Sequence, residues 1–521
     1  MKLRQLFAAA LVALAVPAQA VTLRWAAQND VLTLDPHSQN HATTISILQH
    51  AYEPLVRYDK KFQVEPCLAT KWQQLSPTQW RFNLRRNVKF HDDAPFTADD
   101  VVFSYGRIKQ PQGTMQPYVT GVDDVKKVDE YTVDFILAGP NPVFLRNLTI
   151  FYIMSKTWAE KTKSQNVQNY KDKEETFASR NVNGTGAYMI KGWEPDKRIV
   201  MVANPNWWDK REGNATEVIY TPIKSDATRV SALLSADVDL VTDVPTQDVA
   251  RLKGDPKFKV LDGAENRTIF IGMDQHNDEL KYANVKGKNP FKDVRVRRAL
   301  NMAVDREAIK RVTMRGLSLP AGLMIAPNVY GWNKDIDKVS LFDTAAAKKL
   351  LAAAGYAKGF EFTLDCPNNR YVNDEKICQA LVGMWARVGI KAKLNAMPFA
   401  NFIPKILNLD TSAYMLGCGV ATFDALYMLQ ALARTKTTGA DGSFNQGRVS
   451  DPKLDQLIDA MKTEMDQKKR DALIREALVT VRDQYYYVPL HYQLRPWAMK
   501  KNVSTLHRAN DAPESRFARL N

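Results

Sequence analysis

No single hydrophobic core can absorb a chain of 521 residues, because cores stop growing at roughly 250–300. At least two packed bodies are required. The N-terminus does not count towards either. Lys2 and Arg4 give a positive start, residues 6–16 are apolar, and Ala18-Gln19-Ala20 is a small-x-small cleavage site. That is the pattern of a secretory signal peptide over residues 1–20. Its apolar run is shorter than the roughly 20 residues a spanning helix needs. No cysteine follows the expected cut, so no lipid anchor is expected, and no later stretch is apolar enough to cross a bilayer. The expectation is an unanchored periplasmic chain that begins near Val21.

Composition limits the partners. The formal charge is +15, and loss of Lys2 and Arg4 leaves +13. The basic residues are dispersed, with only short pairs such as Lys348-Lys349, so no nucleic-acid footprint is expected. At 45% hydrophobic and 25% charged the chain is an ordinary globular protein. Among its four cysteines, Cys366 and Cys378 are 12 apart, at the end of a predicted strand and early in the next helix. They are the disulfide candidate of an exported chain. Cys67 and Cys418 lie in apolar surroundings and are expected as small core residues. None has metal-like spacing, so no metal site and no cofactor are expected.

The densest local pattern runs over residues 68–104. Trp80, Phe82 and Leu84 alternate with Arg81, Asn83 and Arg85, giving one apolar and one polar strand face. Ser76-Pro77-Thr78 supplies the turn before it. Thr97 caps a helix whose first turn carries Asp99 and Asp100, favourable at the positive helix end. A second ordered string, NVNGTGAYMIKGWEPDKRIVMVANPNWWD, starts at Asn181. In this order and spacing the two strings closely resemble bacterial extracellular solute-binding proteins of the peptide/nickel type, family 5, the capture subunits of ABC importers. The resemblance spans nearly the whole mature chain.

The resemblance implies an α/β, two-lobed periplasmic-binding-protein fold with an extra subdomain in lobe I. Lobe I would hold residues 21–262 plus 490–521, with the subdomain at 53–179, and lobe II residues 268–488. The crossings would be GAENRTIFIGMD, from Gly263, and YYYVPLHYQLRPWAMKK, from Tyr485. Elsewhere the helical period puts Val296, Ala299, Leu300 and Ala303 on one face. Arg295, Arg297 and Arg298 are then expected on a solvated or salt-bridged face, an anion site being the lesser reading.

A cleft between lobes binds a small solute, and only a ligand that touches both can shift the open–closed equilibrium. Lobe I offers Asn40, either a turn residue or a cleft residue. Lobe II offers Asn369, Arg370 and Tyr371 between a strand and a helix, a usual ligand-facing position. Arg370 is either a surface arginine or a bidentate grip for a carboxylate or phosphate. The loop Gly417-Cys418-Gly419-Val420-Ala421-Thr422-Phe423-Asp424 offers Phe423 and Asp424, and Tyr427 beyond it is a second candidate wall. In relatives that take peptides, the matching loop carries an aspartate for the ligand's α-amino group. Aligned from Gly417, that position is Ala421, and a tryptophan that often precedes it is Cys418. A short peptide is the leading ligand class by family frequency. The alternative is a non-peptide solute such as an amino-acid derivative, an opine-like conjugate, a sugar or a metal chelate.

An enzyme is not expected. HExxH, GxSxG, P-loop and dinucleotide fingerprints are all missing from the sequence. The 57 acids leave a hydrolase carboxylate pair as a lesser reading, and a chaperone-like role is another. His37 and His41 would form a metal pair only on a helix, and Asp35-Pro36 disfavours one there. The expected partners are the solute and the inner-membrane permease, with the protein itself a monomer.

Overall fold

The computed structural model describes residues 20–521. The expected signal peptide therefore lies outside the described residues, apart from Ala20. Two unusually long strands, Phe258–Met273 and Tyr487–Lys500, form the spine of the molecule. They pair antiparallel from Phe258↔Lys500 to Gly272↔Tyr487, with a break in register between Ala264 and Thr268. These are the two expected crossings, and they run side by side.

One mixed sheet fans out from this spine. On one side the order is Ala413–Gly419, Glu361–Pro367 and Lys391–Met397. On the other it is Leu240–Val241, Thr22–Ala27, Glu217–Pro222, Arg198–Ala203 and Tyr188–Glu194. Parallel pairs on both sides, such as Glu361–Pro367 with Lys391–Met397, need crossover helices. Helix Asp374–Ala386 is one, and its Ile377, Leu381 and Trp385 are buried against the sheet. The result is the α/β, two-lobed architecture expected from the sequence.

A separate four-stranded antiparallel sheet holds Ala69–Ser76, Gln79–Leu84, Thr132–Leu137 and Val122–Asp129. Trp80, Phe82 and Leu84 are buried in its core together with Phe135 and Phe144. Helix Ala98–Ile108 begins with a full capping box, Thr97 and Asp100 each satisfying the other's end. The two motif strings meet where the His91 backbone N–H donates to the Gly184 carbonyl at 2.8 Å and Arg85 lies 4.0 Å from the Trp208 ring centroid, and the second string converges on one buried acid, Glu53. Trp207 and Trp208 donate their indole N–H groups to it at 3.0 and 2.7 Å, and Thr185 its hydroxyl at 2.8 Å. Gly184 and Gly186 flank Thr185 because a Cβ at either would strike the Ala51 carbonyl. The motifs are thus the fastening of this small sheet to the large one.

One sequence expectation changes here. Arg297 is not on a solvated face: it is 5% exposed and donates to the carbonyls of Phe291, Lys292 and Gln484. Its helical position falls on the inward side, and the carbonyls at a helix start and a loop take its N–H groups. Arg295 is exposed and paired with Asp293, as expected. The helix after His41 covers Ala42–Leu48.

Candidate functional site

The walls of the cleft are built by loops at strand ends. Strand Glu361–Pro367 hands over to helix Asp374–Ala386 through a short loop, and Cys366 and Cys378 are joined by a disulfide across it. Asp374 reaches back to accept from the backbone N–H groups of Arg370 at 2.9 Å and Tyr371 at 3.0 Å. Asn373 takes a left-handed φ of 56°, and its amide donates to Thr246 Oγ1 at 3.0 Å. The loop is therefore held from within and from helix Thr246–Gly254. Replacing both Cys366 and Cys378 by serine is expected to cost about 2–4 kcal/mol, the scale for closing a short loop; urea unfolding measures it.

That scaffold presents Arg370 to solvent. Its guanidinium carbon lies 5.4 Å from the ring centroids of both Tyr371 and Phe399. Among the described residues the guanidinium makes no hydrogen bond and no ion pair. Its basic neighbours are matched: Arg267 pairs with Glu265 at 2.9 Å, and Arg495 with Asp511 at 2.9 Å and with Asp243. Arg370 is the unmatched charge of this wall. Tyr371 is buried beneath it, its hydroxyl donating to the Gly417 carbonyl at 3.2 Å. Asn369 is exposed and accepts from the backbone N–H of Phe399 at 2.8 Å, at the start of helix Phe399–Leu407.

The facing wall comes from the first strand's exit loop. Asn40 is exposed, and its Oδ1 accepts from the Tyr118 hydroxyl at 3.2 Å. His41 follows as the N-cap of its helix. Burial, and then the Arg370 guanidinium, hold the His41 pKa below the ordinary histidine value. Tyr427 is half-buried, and its pKa is raised by burial and then by Cys418 and Tyr118. Cys418 is a buried free thiol whose pKa burial pushes up to about 11, so it is a thiol and not a nucleophile at neutral pH.

The structure gives Phe423 and Asp424 other tasks than those expected. Asp424 is 1% exposed, and its two oxygens accept from Arg470 at 2.6 and 2.9 Å. It also caps helix Ala425–Met428. A carboxylate so engaged has nothing left for a ligand amine. Phe423 is 2% exposed at a φ of 51° and stacks on Phe62, with centroids 4.1 Å apart. Tyr58 donates its hydroxyl to the Thr422 carbonyl at 2.7 Å, and Arg146 donates to the Phe423 carbonyl at 3.4 Å. Residues 422–424 are thus packed against the segments that carry Tyr58, Phe62 and Arg146. The sequence does not single out Tyr58, Phe62 or Arg146, because an aromatic or an arginine carries no local signal of a partner 364 positions away, as for Tyr58, or 277, as for Arg146.

The His37–His41 metal pair is not formed. His37 is fully buried, with Nε2 2.8 Å from the Tyr152 carbonyl and Nδ1 3.2 Å from Arg107. No cluster of three metal-ligating side chains occurs among the described residues. The arrangement suits binding: a fixed planar cation over an aromatic floor, faced by amides and tyrosines.

The family model for bacterial extracellular solute-binding proteins, family 5 (middle), matches residues 63–440. The chain is 27% identical over 473 residues to the heme-binding protein A of Haemophilus influenzae, covering 86% of this chain and 82% of that one. It is 27% identical over 503 residues to the dipeptide-binding protein of Escherichia coli, covering 91% and 90%. The solved structure of HbpA2 from Haemophilus parasuis matches with a TM-score of 0.80 at 24% identity, covering 96% of this chain and all of that one.

Proposed function

The chain belongs to the bacterial extracellular solute-binding proteins, family 5, and from that premise we propose that it captures a small carboxylate-bearing solute between its lobes. It then delivers the solute to the permease of an ABC importer in the inner membrane. The unmatched Arg370 guanidinium carries this reading, because a charge-assisted, bidentate pair is the interaction it is shaped for. Asn40, Asn369 and Tyr371 complete the polar lining. A short peptide, held by its C-terminal carboxylate, remains the leading class. Ala421 and the occupied Asp424 argue against a salt bridge to a free α-amino group. Two relatives are named for binding heme and a dipeptide, both of which carry carboxylates.

The proposed lobes are residues 21–262 with 490–521, including the subdomain at 53–179, and residues 268–488. The buried clusters support this division. Two draw their buried members from residues 269–488 plus Leu490 and Tyr492 at the crossing, while the others lie outside 269–492 apart from Leu317. The protein is proposed to act as a monomer in the periplasm, free of a lipid anchor, without nucleic acid and without catalysis. No helix among the described residues is long and apolar enough to cross a membrane.

The test is native mass spectrometry of protein purified without denaturation, followed by calorimetry with the mass recovered. A mixture of short peptides supports the leading class, and a single non-peptide mass sinks it. Arg370→Ala is expected to weaken the recovered ligand by about 1.5–3 kcal/mol, the worth of a hydrogen bond to a charged group. Unchanged affinity would remove Arg370 from the site.

A further inference from the structure

A second cavity lies wholly within lobe II, away from the residues that face the cleft. It has a volume of about 340 Å³ and sits between helices Val294–Met302 and Gln467–Asp483, with residues 338–341 at its mouth. Its walls include Leu323, Met324, Leu478 and Val481. Basic side chains outnumber acidic ones in the lining: Arg298, Arg306, Lys338 and Arg482 against Asp483. Asp483 is already engaged by Arg482 at 2.6 Å.

The telling residue is Arg306. It is 4% exposed, and no carboxylate approaches it within ion-pair distance among the described residues. Its N–H groups donate to the carbonyls of Pro489 at 2.7 Å, Asn301 at 3.2 Å and Val304 at 3.4 Å, and to Asn301 Oδ1 at 2.9 Å. A guanidinium has five N–H groups, so one is unspent and the charge is balanced only by dipoles. A buried charge without a counter-ion is costly. Arg298 and Lys338 add two further cations with no carboxylate partner among the described residues. At the mouth, Leu341 is 74% exposed and Val339 42% exposed, an apolar rim left open to water.

We propose that this cavity is a second ligand site that takes a small amphipathic monoanion, its carboxylate beside Arg306 and Arg298 and its apolar body against Leu323, Met324 and Leu341. Its volume equals that of about eleven water molecules at about 30 Å³ each, which fits an acid of about ten non-hydrogen atoms. The anion would neutralise the buried cation through charge-assisted hydrogen bonds, and its tail would cover the apolar rim. A site inside one lobe is present whether the cleft is open or shut, so its occupancy is independent of the cleft ligand.

Octanoate is the probe, titrated calorimetrically into the whole protein. The expected result is one octanoate per chain, with affinity lowered about tenfold or more by Arg298→Glu and by Leu341→Glu. Both positions are exposed, and retention of the fold is checked by circular dichroism. Arg370→Ala should leave octanoate binding unchanged, and octanol should bind more weakly than octanoate. The proposal is overturned by any of four results: no binding at millimolar octanoate, affinity indifferent to both mouth variants, binding lost in Arg370→Ala, or octanol binding as tightly as the acid.

Discussion

Replacing His491 by leucine is expected to stabilise the protein, by an amount that grows as the pH falls. His491 sits in the spine strand at 1% exposure, and neither ring nitrogen has a hydrogen-bond partner among the described residues. Burial alone pushes its pKa down to about 3. In the folded protein the ring is therefore neutral through the whole mildly acidic range. The unfolded chain takes up a proton below its ordinary value of 6.5. Between those two values the unfolded state binds more protons, so the native protein loses stability as pH falls, and the loss is complete near pH 3. The slope is about 1.4 kcal/mol per pH unit for one such group. Leucine has no proton to bind. Near neutral pH the variant should gain the roughly 1–3 kcal/mol set by an unsatisfied buried polar group. Its advantage should then widen by about 2 kcal/mol between pH 6.5 and pH 5. Urea unfolding of both proteins at the two pH values measures this, and a pH-independent difference would show that His491 is not held neutral.

The second large effect belongs to Asp424 and Arg470. Their side chains are 2% and 4% exposed and meet through two hydrogen bonds at 2.6 and 2.9 Å. Arg470→Ala leaves a buried carboxylate with the capped Leu426 N–H at 3.0 Å and, as its one remaining cation, the more distant Arg146 at 3.8 Å. The expected loss is about 3–5 kcal/mol, the cost of breaking a buried pair by removing one partner. Replacing both together, Asp424→Leu with Arg470→Met, should recover most of it, because two apolar groups restore packing without an orphaned charge. The recovery falls short by about 1 kcal/mol for the lost helix cap. Chemical denaturation of Asp424→Leu, Arg470→Met and the double variant closes the cycle; a double variant as unstable as the sum of the singles would show that the two residues act separately.

The same pair shows where sequence reasoning stops. Asp424 was a reasonable ligand candidate, because an acid just past a strand end in a cleft loop is where a ligand amine is met. Its true partner lies 46 residues on, in a helix whose local pattern predicts only amphipathicity. Arg370 is the converse case. From the sequence it was a surface arginine or a grip, and the two are distinguished by what stands nearby. The structure pairs Arg267 with Glu265 and Arg495 with Asp511, and leaves Arg370 without an acid. Sequence spacing cannot reveal an absent partner.

The sequence by itself determined the elements and the family. Period-two alternation at Trp80, Phe82 and Leu84, the capping box at Thr97 and Asp100, and the ordered strings around Gly184 and Trp207 are short-range signals, written within a few turns of chain. The length demanded more than one core, and the motifs named the fold. What tertiary structure alone decided is the matching of charges and aromatic faces across long separations. It stacked Phe62 on Phe423, spent Asp424 on Arg470, turned Arg297 inward and left Arg306 without a counter-ion among the described residues. Hydrogen bonds and ion pairs depend on distance in space and on exclusion of water, and neither quantity is a property of position along the chain.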